Sequence, residues 1–188
     1  MKKFLQFAGL ISLVLAAVAF IFMMAGHALE YSVSGSIGSA SSWYSGTAVI
    51  FGKGPAEVSG SILGFGGTSS GTFEGKLAWS ALLAWIFAIV AMAILLLGVL
   101  LPLLKVKALQ KFAGLLNLIA VGLLVVGGIF MFVTLPAFAA ANEWSSTDNW
   151  SLNPLWVIGG VLLIVAGVIA ILPTAADFLA KGKGKKRK

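Results

Sequence analysis

The chain has 188 residues, of which 60% are hydrophobic and only 10% charged. Soluble domains carry about 25% charged residues, so a soluble globule does not fit, and the absence of Cys excludes disulfides and thiolate metal sites. The formal net charge is +7, but the charges follow topology and do not point to nucleic acid.

Four apolar runs reach the about 20 residues that a transmembrane helix needs. They cover residues 4–26, 77–104, 112–135 and 155–178. The first follows Lys2 and Lys3 and ends at Gly26-His27-Ala28, so a cleaved secretory signal is a second reading. Its 22 residues from Phe4 to Ala25 exceed the about 7–15 of a signal h-region, and a retained helix is expected.

The first loop, residues 29–76, is rich in Gly and Ser. Tyr31, Val33, Gly35 and Ile37 alternate with Ser32, Ser34, Ser36 and Gly38, a strand pattern. Thr47 to Phe51 is β-prone, Gly52-Lys53-Gly54-Pro55 reads as a turn, and Glu57 to Phe65 alternates again. Thr72-Phe73-Glu74 is a last short strand candidate. A small antiparallel sheet of three or four strands is expected, on which Glu57 and Glu74 could meet. A flexible Gly/Ser linker is the alternative.

Trp79 and Trp156 open the second and fourth runs and Trp144 and Trp150 sit in the second loop, and all four are expected to mark the outer interface, because amphipathic indoles favour that level. Trp85 lies deeper and is expected to pack. Small residues spaced by four, Ser12 and Ala16, Ala84 and Ala88, Ala166 and Ala170, allow close helix approach. Gly122, Gly127, Gly128, Gly159 and Gly160 extend that surface. The second loop, residues 136–154, holds Trp144 and Trp150 among polar residues, and Asn149-Trp150-Ser151 fits the glycosylation acceptor pattern.

Two like hairpins are visible. Phe7-Ala8-Gly9-Leu10-Ile11-Ser12-Leu13 matches Phe112-Ala113-Gly114-Leu115-Leu116-Asn117-Leu118, and Trp85 precedes Pro102 by 17 residues, as Trp156 precedes Pro173. Such a repeat is parallel, related by an axis along the membrane normal. Pro102 and Pro173 are expected to loosen the ends of their helices.

Eleven of the thirteen Lys and Arg residues fall on one side of the four runs, and only Lys53 and Lys76 on the other. Cytoplasmic segments carry the Lys/Arg excess, so both termini are expected to be cytoplasmic, in an integral protein of the plasma membrane. The tail, residues 181–188, holds Lys181, Lys183, Lys185, Lys186, Arg187 and Lys188. These six are the candidate contacts to anionic lipid.

The expected fold is therefore an integral-membrane, mainly α, four-helix bundle with a small antiparallel β-sheet from the first loop, in a single domain over residues 1–188. This layout resembles the claudin and PMP22-like tetraspan group: a short inner N-terminus, a first outer loop of about fifty residues with strand character, a brief inner turn, a shorter second outer loop and an inner tail. The Gly-Leu-Trp and Cys pair of the claudin first loop are absent, although Trp43 is present, so no claudin residue is carried over. The resemblance implies adhesion, barrier formation or partner binding.

No apolar run holds an acid, base or His in its centre, so ion-coupled carriers and enzymes have little to stand on, and no cofactor is expected. The expected role is structural, adhesive or partner-binding through the outer loops, with Trp43, Tyr44, Trp144 and Trp150 as the candidate partner surface. Lipid bilayer, a second copy or another membrane protein are the expected partners. Ser12 and Asn117 hold equivalent positions in the two hairpins and are the candidate intramembrane polar contact, where an Asn is expected to hydrogen-bond across the bundle. The alternative function is a channel or transporter subunit, with Ser12 and Asn117 at an inner constriction.

Overall fold

The computed structural model describes residues 2–103 and 113–185, with side chains over residues 7–100 and 114–172. In chain order the elements are α1 (Lys2–Ala25), β1 (His27–Gly35), β2 (Gly38–Ser45), α2 (Gly46–Phe51), β3 (Lys53–Ile62), β4 (Phe65–Glu74), α3 (Trp79–Leu103), α4 (Ala113–Phe132), α5 (Thr134–Ala141), β5 (Trp150–Leu152) and α6 (Pro154–Lys185). Among the described residues four helices are long and apolar enough to cross a membrane, through Phe7–Ala25, Trp79–Leu100, Gly114–Phe132 and Pro154–Leu172.

These four helices pack in a ring. The α1–α6, α6–α4 and α4–α3 seams are extensive, and α3–α1 is slighter. Connectivity puts the sheet at one end of the ring, because α1 and α4 lead into it and α3 and α6 lead out. The interior is lined by small residues: Ala16, Ala19, Ala84, Ala88, Ala120, Ala166 and Ala170 are fully buried, as is Ser12. Large apolar side chains point outward instead, among them Leu10, Val14, Ile21, Leu97, Leu115, Ile129 and Val168. A bundle folded by water would do the reverse; small residues inside let helix backbones approach closely.

In the α4–α6 seam, Gly128 of α4 and Gly160 of α6 come close together. A Cβ on Gly128 would lie 2.7 Å from the Gly160 carbonyl oxygen. Gly122 does not share that seam and faces open space. Six residues at 100° each place it well around the helix from Gly128. Trp156 also departs from expectation. It is fully buried and donates from Nε1 to the Met131 carbonyl at 3.0 Å, so it is a packing residue rather than an interfacial anchor. Trp79 remains 53% exposed. Trp85 packs against Phe20 and Phe51 as expected.

The loops fold into one five-stranded antiparallel sheet of order β4-β3-β2-β1-β5. Four strands come from the first loop and the fifth from the second. Several local expectations are corrected. Residues 47–51 form a helix, not a strand: Ser45 caps it by accepting the Ala48 N–H at 3.2 Å, and Gly52 closes it at φ 72°. Lys53, Gly54 and Pro55 then begin β3 instead of making a turn. The run from Glu57 to Phe65 breaks at Leu63-Gly64, where φ values of 50° and 82° make a tight two-residue hairpin. The short strand near Thr72 is the end of ten-residue β4. Glu57 opposes Ser70 while Glu74 opposes Lys53, so the two carboxylates do not meet.

The second loop is largely ordered. Its first part is α5, whose first turn accommodates Pro136 because N–H groups there need no helical partner. α6 begins at Pro154 behind Asn153, whose Oδ1 accepts the Leu155 N–H at 2.8 Å. It continues through Pro173 to Lys185, so that proline does not end the helix.

Candidate interaction face of the sheet

In a strand, successive side chains point to opposite faces, and directly paired residues share a face. The register therefore sorts the sheet into two unlike surfaces. One face carries Tyr31, Val33, Ala40, Ser42, Tyr44, Val58, Ile62, Phe65, Phe73 and Trp150. The other carries Glu30, Ser39, Ser41, Trp43, Glu57, Ser59, Ser61, Thr68 and Ser70. Hydroxyl contacts knit this polar face, from Ser39 to Ser61 at 3.0 Å and from Thr68 to Ser59 at 3.2 Å.

The half of the apolar face nearest the bundle is covered by an aromatic cluster centred on Tyr44. Its ring lies 4.9 Å from Phe73, 5.5 Å from Phe138, 5.4 Å from Trp150 and 6.0 Å from Trp144. Trp144 and Trp150 are 4.6 Å apart, and Tyr31 adds to Trp150 at 5.3 Å. The cluster thus joins four strands, β1, β2, β4 and β5, to Phe138 of α5 and to Trp144 of the second loop. Burial pushes the Tyr44 phenol above its ordinary pKa.

Of the four candidate surface residues, the fold gathers Tyr44, Trp144 and Trp150 and separates Trp43. As the neighbour of Tyr44 in β2, Trp43 takes the opposite face, where it stacks on His27 with centroids 3.8 Å apart. His27 Nδ1 lies 3.8 Å from Glu30 Oε1, and Glu30 accepts a hydrogen bond from Asn153 Nδ2.

Beyond the cluster the apolar face is uncovered. Val33, Val58, Ile62 and Phe65 continue it toward the far hairpins, and Phe65 is 86% exposed. These four were not singled out from sequence. Alternation made Val33, Val58 and Ile62 visible as strand residues, but only the register shows that they share one face. The far edge, β4, is exposed on nearly every residue.

Polar contacts brace the junction between sheet and bundle. Lys76, just before α3, pairs with Glu143 at 2.6 Å, and Lys53 pairs with Glu74 at 2.6 Å. Asn142 accepts the Lys76 backbone N–H at 2.9 Å and donates to the Lys76 carbonyl at 2.8 Å. A hydrogen bond and the charge of Lys76 hold the Glu143 carboxyl below its ordinary pKa, and Lys53 does the same for Glu74.

Ser12 and Asn117, equivalent in the repeat, both donate to α6. Ser12 Oγ reaches the Ala166 carbonyl at 2.6 Å, and Asn117 Nδ2 reaches the Ala170 carbonyl. Lys181, Lys183 and Lys185 fall on the backbone of α6 but beyond the described side chains, and Lys186, Arg187 and Lys188 lie outside the described residues. Among the described residues no group of three His, Asp or Glu side chains gathers that could hold a metal. Comparison with protein-family models and with curated proteins gives no match.

Proposed function

We propose that this is a tetraspan protein of the plasma membrane with both termini cytoplasmic, acting in adhesion or partner binding through its outer sheet. The observation that carries the reading is the two-faced sheet, whose apolar face runs on past the aromatic cluster through exposed Val33, Val58, Ile62 and Phe65. A contiguous apolar patch held away from the bundle marks an interaction surface. Membrane insertion is supported by the four apolar helices and by the outward-facing Leu, Ile and Val residues around an alanine interior. Orientation is supported by the one-sided Lys/Arg excess. The tetraspan layout supports a claudin-like form by analogy only, and the basic tail is suited to anionic lipid.

The hydrogen bonds of Ser12 and Asn117 to α6 support a packing role for both, which favours this reading over a channel or transporter subunit. The test is site-specific photo-crosslinking of the full chain in native membranes. A probe at Ile62 should capture protein, while one at Ser59 on the polar face should not. Equal capture from both faces, or none from either together with a monomer on detergent extraction, would overturn the proposal.

A further inference from the structure

We infer that a second copy of this chain pairs antiparallel along β4, about a two-fold axis through Ser69. The inference rests on the reading above only in taking the outer sheet as the contact surface. β4 is the outermost strand, pairs on one side only, and keeps an unbroken ten-residue register with β3. Sheet edges are normally guarded by charge, proline, a bulge or short length. From Phe65 to Phe73 this one has no charged residue and no proline. The opposite edge, β5, is only three residues long.

The sequence of β4 is also close to a palindrome. In Phe65-Gly66-Gly67-Thr68-Ser69-Ser70-Gly71-Thr72-Phe73, a two-fold at Ser69 sets Phe65 against Phe73, Gly67 against Gly71 and Thr68 against Ser70 of the second copy. Antiparallel pairing of one segment with itself is the isologous contact that two-fold symmetry requires. Directly opposed residues share a face, so this register joins apolar face to apolar face. It brings the exposed Phe65 ring to Phe73 in the second copy, at the margin of that copy's aromatic cluster. A slip by one residue would set the apolar face of one copy beside the hydroxyl face of the other. Glu74 falls beyond the paired segment, next to its own Lys53.

The pairing dictates a shape. In each copy the Glu74 end of β4 lies at the bundle and the Phe65 end lies away from it. Antiparallel pairing therefore puts the two bundles at opposite ends of one ten-stranded sheet, separated by at least the length of nine strand residues, about 30 Å. The proposed arrangement sets these two bundles in two facing membranes.

The chain has no Cys, so single cysteines report the register cleanly. Ser69→Cys in detergent-extracted full-length protein should give a covalent dimer with a short bis-maleimide. Gly67→Cys alone should not, whereas Gly67→Cys mixed with Gly71→Cys should give the mixed dimer. Both glycines have open space at the Cβ position, so folding is unaffected. Two vesicle populations carrying the protein should cluster, and Ser69→Lys, which places like charges opposite each other on the axis, should abolish clustering. Dimer from Gly67→Cys alone at the level of Ser69→Cys would overturn the register. Cross-linking of Ser69→Cys only within one vesicle would overturn the facing arrangement. If Ser69→Cys stays monomeric while the Ile62 probe still captures another protein, this inference falls and the partner-binding reading stands. Loss of both signals removes both.

Discussion

Adjacent glycines in α4 offer a sharp test of how the bundle is held. A Cβ on Gly128 would sit 2.7 Å from the Gly160 carbonyl oxygen and 2.6 Å from Ile164 Cγ1, whereas a Cβ on Gly127 would meet its nearest neighbours at 3.5 Å. Ordinary contact begins near 3.4 Å, so Gly128→Ala must open the α4–α6 crossing by the difference between 2.7 and 3.4 Å, about 0.7 Å. Forcing a methyl into a packed seam costs about 1–3 kcal/mol. For a chain of this size that lowers Tm by about 2–12 °C. Gly127→Ala fits without displacement and gains up to about 1 kcal/mol of helix propensity, so it should melt at or above the parent temperature. Thermal unfolding in detergent micelles, followed by far-UV circular dichroism, separates the two. If the variants melt together, the seam is looser than the geometry requires and the close-approach argument is wrong.

Two further outcomes follow from the sheet and its junction. Tyr44→Ala removes the hub of four ring contacts and should cost about 3 kcal/mol, and Trp43→Ala, which loses the single stack on His27, should cost less; the reverse order in thermal unfolding would contradict the face assignment. The Glu143 carboxyl should titrate below its ordinary 4.5. Because its folded pKa is lowered, its contribution to stability is present above the unfolded pKa and is lost as pH falls through the folded one. Carboxyl chemical shifts against pH should show this midpoint rise in Lys76→Met and move toward the ordinary value in 1 M salt; a midpoint indifferent to both changes would rule out the ion pair in solution.

The long helices were legible because length and hydropathy report them without tertiary context. The sheet was legible only where apolar and small residues alternated. β4 was mostly hidden, since its Gly, Thr and Ser residues are exposed on both faces and leave no alternation to read. The hairpin at Leu63-Gly64 was hidden for a different reason: a Leu at positive φ is rare, and its side chain continued the apparent strand. α2 carries β-prone Val49, Ile50 and Phe51, yet Ser45 and Gly52 bracket it as cap and stop, and those flanking signals were the ones to weigh. β5 depends on pairing with β1 across more than a hundred residues, which no local pattern carries. For the site, the sequence showed which aromatics were unusual. Only the register showed that Tyr44, Trp144 and Trp150 converge while Trp43 turns away.

The brace around Lys76 has a mechanical consequence. Between the end of β4 and the start of α3 lie four residues, Gly75 to Ala78, without regular structure. Tension applied along β4 reaches the bundle along that thread, across the β3 ladder and through the Phe73–Phe138 ring contact. The grip of Asn142 and Glu143 on the Lys76 backbone and side chain adds a further load path, through α5 into α4. Pulling on the sheet edge is thereby shared between two helices, and the hydrogen bonds of the β3–β4 ladder, lying across the direction of pull, resist it in shear rather than by unzipping.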